Sequence, residues 1–214
     1  MGRENKKEAV AALHREQIMK AAERLFSEKG YAQTTIEDIS KASEYSRRTI
    51  YAYYESKDDI LNHIIEKGLV ELKLEIKNAI DRDEDFVFVY REICMAISKF
   101  QMEYPHSSEN INSVNSADFD LDNLSDTVKH ILLLGTKINT MLAAFIDAGK
   151  ENGIVRQETV PMLTVYVLWS SITALLTLVR TKGKFISNQF SLSENEFLDY
   201  GFKQLINSIL EVRI

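Results

Sequence analysis

The 214-residue chain holds eight glycines and two prolines, ten breakers where average usage of about 7% and about 5% predicts roughly 25. So few turn residues exclude sandwiches, barrels and propellers, and leave long helices joined by few loops. The net charge of −6, from 26 basic and 32 acidic side chains, argues on its own against a nucleic-acid partner, which needs a cationic footprint. That average hides an asymmetry. Residues 1–57 carry eleven Lys/Arg against nine Asp/Glu, whereas residues 58–214 carry fifteen against twenty-three. The first 57 residues therefore remain open as a DNA-contacting unit. The single cysteine, Cys94, excludes an internal disulfide and fits a reducing cytoplasm.

The first helix is expected from about Lys7 to Lys29, with Ile18, Ala21, Ala22, Leu25 and Phe26 on one apolar stripe and Gly30 as its left-handed stop. Thr34-Thr35-Ile36-Glu37 reads as a capping box opening a short helix that turns Ile36, Ile39 and Ala42 inward. Ser43-Glu44-Tyr45-Ser46 has turn character, and Ser46 can cap a third short helix over Arg47–Tyr53. Ser56-Lys57-Asp58-Asp59 then signals a long amphipathic helix through Ile60, Leu61, Ile64, Ile65, Leu69, Leu72 and Ile76.

Farther on, residues 85–104 read as helix up to Pro105, and residues 106–123 as a loop or a poorly specified short helix. A long helix over residues 123–151 ends at Asn152-Gly153. Another covers 159–181 before a glycine-containing connection, and Ser193-x-x-Glu196 caps a last helix over 194–211. The sum is an all-α chain of about nine helices. Val160–Val179 is free of charge for twenty residues, long enough to span a bilayer. It also holds Thr164, Ser170, Ser171, Thr173, Thr177 and Pro161, without an aromatic belt or a basic flank, so the expectation is a helix buried in protein on most sides. The N-terminus lacks the apolar core of a signal peptide and departs from the myristoylation pattern at Lys6.

Two short helices joined by a three- to four-residue turn behind a bracing helix are the plan of a helix-turn-helix. Arg47 and Arg48 open the second short helix, where free backbone N–H groups and the helix dipole also favour phosphate. Their guanidinium groups can fork onto guanine edges or clamp phosphate. Thr35 and Thr49 are short hydroxyl donors suited to fixing register on the backbone. Tyr51, Tyr53 and Tyr54 offer phenols, and Lys57 can reach phosphate. The competing interpretation is a solvated arginine pair beside core tyrosines.

Arg15-x-x-Ile18-x-x-Ala21-Ala22-x-x-Leu25-Phe26, Gly30-Tyr31, Thr34-Thr35-Ile36-x-x-Ile39 and Ser46-x-x-Thr49-Ile50-Tyr51-x-Tyr53-Tyr54-x-Ser56-Lys57-x-x-x-Leu61 resemble the N-terminal domain of TetR-family transcriptional regulators. The likeness runs from Arg15 to Leu61. It implies an N-terminal three-helix DNA-binding domain, residues 1–57, followed by a larger helical ligand-binding and dimerisation domain, residues 58–214. By position, Arg47, Arg48 and Tyr51 would approach bases in the major groove, while Thr35, Thr49, Tyr53 and Lys57 would hold phosphates. The family usually has glycine in the turn where Glu44 stands, so either Glu44 accepts a left-handed backbone or the turn differs slightly.

The resemblance further implies a cytoplasmic homodimer on a double-stranded, palindromic DNA operator, released by a small, apolar effector, with no membrane. The last two helices of each subunit would form the dimer bundle, with Leu168, Leu175, Phe202, Leu205 and Ile209 at the interface. Tyr90, Cys94, Met95, Met141, Phe145, Tyr166 and Trp169 are candidates to line an effector cavity, against the alternative that each is ordinary core. Arg91 and Lys137 interrupt apolar stretches and would suit an anionic effector or a solvated face.

Neither a cofactor nor a metal is expected, and no enzyme site is legible. His14, His63, His106 and His130 have no metal-ligand spacing, and Pro105 breaks Glu103-x-x-His106. Gly149–Gly153 lacks the end of a phosphate loop, and there is no Gly-x-Ser-x-Gly. The other function classes open to the chain are a helical adaptor without DNA binding and a membrane-tethered regulator.

Overall fold

The computed structural model describes residues 3–105 and 124–213. His106 and the expected loop at 106–123 lie outside them. Among the described residues the chain forms eight helices and no strand: α1 (Arg3–Lys29), α2 (Ile36–Ser43), α3 (Arg47–Tyr51), α4 (Lys57–Ile80), α5 (Phe86–Glu103), α6 (Asp126–Glu151), α7 (Pro161–Phe190) and α8 (Glu194–Asn207). Two compact units emerge. One is Met1–Leu69 with Tyr104–Leu132; the other is Val70–Glu103 with Leu133–Ile214.

In the first unit α1 packs on α2 and α2 on α3. Ile18, Ala22, Phe26, Ile39, Ile50, Ile60 and Ile65 form its core. Full burial of each large side chain is worth about 1.5–3 kcal/mol. Gly30 stops α1 at φ 86°, and its N–H closes onto Phe26 O at 3.0 Å. The box that opens α2 sits one residue later than the sequence spacing indicates. Thr34, 1% exposed, turns its hydroxyl back to Gly30 O at 2.9 Å and Leu25 O at 3.3 Å. Thr35 is the cap instead, paired with Asp38 rather than Glu37. Glu44 ends α2 at φ 61° and ψ 14°, the left-handed conformation expected of the residue that stands in for glycine. Ser46 caps α3, which stops at Tyr51 rather than Tyr53.

The second unit is a helical pack in which α7 lies along α8, and α5 touches both. Phe86, Val89, Ile93, Cys94, Ile97 and Phe100 of α5, Val165 and Ile172 of α7, and Phe202 and Ile206 of α8 are all buried. An antiparallel bridge, Val155 with Leu210, ties the chain after α8 to the loop after α6, through Arg156 N to Ile209 O at 3.0 Å and Glu211 N to Ile154 O at 2.9 Å.

Helix α7 departs from expectation twice. It continues through Gly183 to Phe190 and ends at left-handed Ser191, φ 54°. Gly183 is buried, and the Glu194 side chain lies where a Cβ would stand, so packing holds a glycine that would otherwise weaken a helix by about 1 kcal/mol. Its uncharged stretch is not buried on most sides either: Leu163 and Val167 are each 63% exposed. Helices α6 and α7 are both long and apolar enough to cross a membrane by length and composition, a test that core helices of soluble proteins also pass. The last helix closes at Asn207, four residues before the expected end, because Ser208 N and Ile209 N turn into a tight 3₁₀-type stop on Leu205 O and Ile206 O.

Candidate nucleic-acid interface and apolar cavity

The first unit gathers its chemistry at the start of α3. Ser46 Oγ accepts Thr49 N–H at 3.1 Å and shares a 2.8 Å hydrogen bond with Thr49 Oγ1. This cap fixes the first turn and leaves Arg47 and Arg48 projecting into solvent. Among the described residues neither arginine forms an ion pair, whereas Lys20, Lys29 and Lys41 on α1 and α2 are each held by a nearby carboxylate. Tyr51, one turn on from Arg47, is 51% exposed. An α-helix that presents two free guanidinium groups and a phenol from a rigid cap is sized for a major groove.

The other expected DNA-facing groups are committed to the head itself to different degrees. Thr35 Oγ1 accepts Asp38 N–H at 3.2 Å and donates to Asp38 Oδ2 at 2.6 Å. Asp38 is held far below the usual carboxylate range, chiefly by Lys29 and then by Thr35. Tyr53 is half-buried: its phenol bonds His14 Nδ1 at 3.0 Å, and the Arg15 guanidinium lies 5.5 Å from its ring centroid. Tyr54 is core, and its hydroxyl donates to Arg15 O at 3.1 Å. Burial, the main cause, pushes that phenol up to about 12.

Lys57 turns inward. Its ammonium donates to Tyr31 O and Thr34 O, both at 2.9 Å, and stands 4.1 Å from the Tyr31 ring centroid. The Tyr31 hydroxyl donates to Asp58; burial and then that carboxylate push it well above an ordinary phenol. The first two residues of α4 thus clasp the turn between α1 and α2. Sequence reasoning passed over Tyr31 and Asp58, because nothing local to either residue signals a contact 27 positions away.

Two of the scattered histidines also meet: Glu66 bonds His63 at 3.2 Å and, on its other oxygen, His130. Among the described residues no cluster could hold a metal ion.

Between α5, α6, α7 and α8 the second unit has a partly open apolar cavity. Of the seven candidates, Tyr90, Phe145 and Trp169 line it. Cys94 is fully buried beside it, and burial pushes its thiol up to about 12. Met141 is half-buried outside the lining. Met95 and Tyr166 are more than half exposed, because they stand on the outer faces of α5 and α7. The rest of the lining is aliphatic: Ile93 and Ile97 of α5, Leu142 and Ile146 of α6, Val165, Leu168 and Ile172 of α7, and Ile206 and Ile209 near the end of the chain. A search for aromatic and sulfur-bearing residues misses these by design. Arg91 faces solvent and bonds both carboxylate oxygens of Asp199, at 3.1 and 3.0 Å; Lys137 is exposed.

The expected dimer residues need revision. Leu168, Phe202 and Ile209 are buried within their own protomer: Leu168 on α7 and Ile209 just after α8 line the cavity, and Phe202 lies on the inner face of α8, its carbonyl accepting from Tyr90. Leu175 and Leu205 are half-buried, Leu175 lying where a Cβ on Gly201 would stand, 2.7 Å from it.

A family model described as bacterial regulatory proteins, tetR family, matches residues 18–64. The HTH-type transcriptional regulator AcrR of Shigella flexneri is 28% identical over 179 residues, covering 72% of this chain and 81% of the relative. With three further HTH-type regulators the match spans only 60%, 29% and 27% of the relative's length. Among solved structures, the TetR-family regulator PfmR from Thermus thermophilus superposes with a TM-score of 0.67 at 22% identity, over 88% of this chain and 96% of its own. A SmeT–triclosan complex superposes with 0.65 at 16% identity, over 93% and 92%. At these identities the structural likeness establishes the all-helical fold. The curated relatives are transcriptional regulators, not enzymes.

Proposed function

The chain belongs to the TetR family of bacterial regulatory proteins, and we propose that it is a DNA-binding transcriptional repressor that works as a homodimer in the cytoplasm and leaves a palindromic operator when a small apolar effector binds. The observation that carries this reading is the pair of exposed, ion-pair-free arginines at the capped start of α3, one helical turn from exposed Tyr51. Arg47, Arg48 and Tyr51 read the major groove; Thr35, Thr49 and Tyr53 border it and contact the sugar–phosphate backbone. Lys57 holds the head together rather than reaching out.

The dimer surface is the outer stripe of α7: Leu163, Tyr166, Val167, Ser170 and Ala174, exposed at helical spacing. An apolar stripe of this length on a single protomer is most simply covered by its own copy about a two-fold axis. The same stripe is the observation that favours a second reading, a membrane-attached regulator; recovery of the protein in the soluble fraction without detergent separates the two. The cavity receives the effector, in keeping with the triclosan held by SmeT. Helix α4 is one unbroken element from Lys57 to Ile80, so a shift of its later turns is transmitted to the clasp at Tyr31 and alters the spacing of the two α3 helices on DNA.

Selection of duplexes from a random-sequence pool tests the reading. It predicts an inverted repeat bound by a dimer, with affinity falling steeply with salt. Failure to enrich any sequence, with salt-independent retention on heparin, favours an adaptor and overturns it.

A further inference from the structure

The cavity's chemistry narrows the effector further than its apolar character. Four of its lining side chains are aromatic, and Phe86 and Phe145 lie stacked, ring centroids 4.3 Å apart and planes 5° from parallel. None of the lining side chains carries a formal charge. The phenol of Tyr90 already donates to Phe202 O at 3.2 Å, and burial holds it well above the usual range, so it stays neutral. Arg91 is bound by Asp199, Lys137 faces solvent, and Arg156, whose backbone N–H bonds Ile209 O, has its guanidinium 3.5 Å from the Glu158 carboxylate. An ionised group brought into such a site would lose its hydration without gaining a partner, a cost that outweighs the burial of a small ligand. A flat ring, by contrast, extends an existing stack.

We infer that the effector is an uncharged molecule bearing a flat aromatic group that packs beside the Phe86–Phe145 pair and against Trp169, and that the site discriminates against anionic ligands, including carboxylates. This inference rests on the reading of the cavity as the effector site. It removes the anionic alternative that Arg91 and Lys137 had left open.

Two probes with one skeleton make the test. N-phenyl-1-naphthylamine is neutral, and 8-anilino-1-naphthalenesulfonate is the same ring system with a sulfonate. Trp169 is the chain's single tryptophan and lines the cavity, so its emission reports occupancy directly. The full-length protein should bind the neutral probe saturably, one per protomer, with quenching of Trp169, and bind the sulfonate at least about tenfold more weakly. Filling the cavity with Val165→Phe or, separately, Ile93→Phe should weaken the neutral probe about tenfold or more. The wild-type comparison decides the ligand class even where a filled variant fails to fold. Equal or tighter binding of the sulfonate at Trp169, no quenching by the neutral probe, or full affinity in both folded variants each overturns the inference. Binding of a selected duplex, measured on the same samples, keeps the outcomes apart. Intact duplex binding with a preference for the sulfonate overturns the ligand class alone, and absent duplex binding overturns the regulator reading instead.

Discussion

Replacing Lys57 with methionine keeps the aliphatic stem and deletes the ammonium that donates to Tyr31 O and Thr34 O at 2.9 Å. Hydrogen bonds from a charged donor contribute about 1.5–3 kcal/mol each. The contact over the Tyr31 ring adds about 0.5–1 kcal/mol. Water can reach part of this half-buried site and take up the freed carbonyls, and the ammonium no longer has to be desolvated, so the net loss is about 2–3 kcal/mol. For a chain of this size, each kcal/mol moves Tm by about 2–4 °C, so Lys57→Met should melt about 5–10 °C lower. Each phosphate contact contributes about 0.9 to the slope of log affinity against log salt. A Lys57 that held phosphate would take about 1.8 from the slope of a dimer when removed; a Lys57 that clasps the head leaves the slope unchanged. Thermal denaturation and a salt series of mobility shifts read both. An unchanged Tm with a slope reduced by about 1.8 would refute the clasp.

Three further outcomes follow from the same geometry. Glu44→Gly relieves a left-handed residue at φ 61°, worth about 1–2 kcal/mol against about 0.4–1 kcal/mol of added unfolded-chain entropy, and removes a negative charge beside α3. Chemical denaturation should show a gain of about 0.5–1 kcal/mol, with tighter duplex binding. Cys94, whose thiol is pushed from 9.0 up to about 12 by burial, should stay unreactive toward a thiol reagent at pH 8 in the native state and react once unfolded. Because the unfolded chain ionises this thiol first, stability should fall as pH rises from about 9 toward 12, and Cys94→Ala should flatten that part of the profile. Val167→Glu places a charge on the exposed stripe of α7 and should yield monomers in sedimentation without lowering Tm by more than a few degrees; a stable dimer would remove α7 from the interface.

The local signals in the sequence were the reliable ones. Ser46 and Ser193 announce helix starts by the type of residue that caps, and the left-handed backbone at Glu44 follows from the turn it occupies. The capping box reads as Thr34 with Glu37 in the sequence, but burial of Thr34 leaves the Thr35 hydroxyl as the one free to cap, and burial is a tertiary property. Gly183 looked like a helix end, yet Glu194 fills the space above it. The faces of α7 are not legible in the sequence for a related reason. Its apolar residues run nearly all round the helix, so spacing alone could not say which stripe seals the cavity and which stays open. Leu168 and Leu163 differ by five positions and lie on opposite sides of that division. Lys57 shows the limit for site residues: a lysine at the start of a helix suggests phosphate, and only the carbonyls of Tyr31 and Thr34 reveal that it is already engaged.

The central claim is that α3 reads DNA through Arg47 and Tyr51. A mobility shift of the double variant Arg47→Ala/Tyr51→Ala on a selected duplex at moderate salt tests it most directly, with sedimentation of the same sample. Specific binding should be lost while the dimer and the fold stay intact. Wild-type affinity in that variant would contradict it.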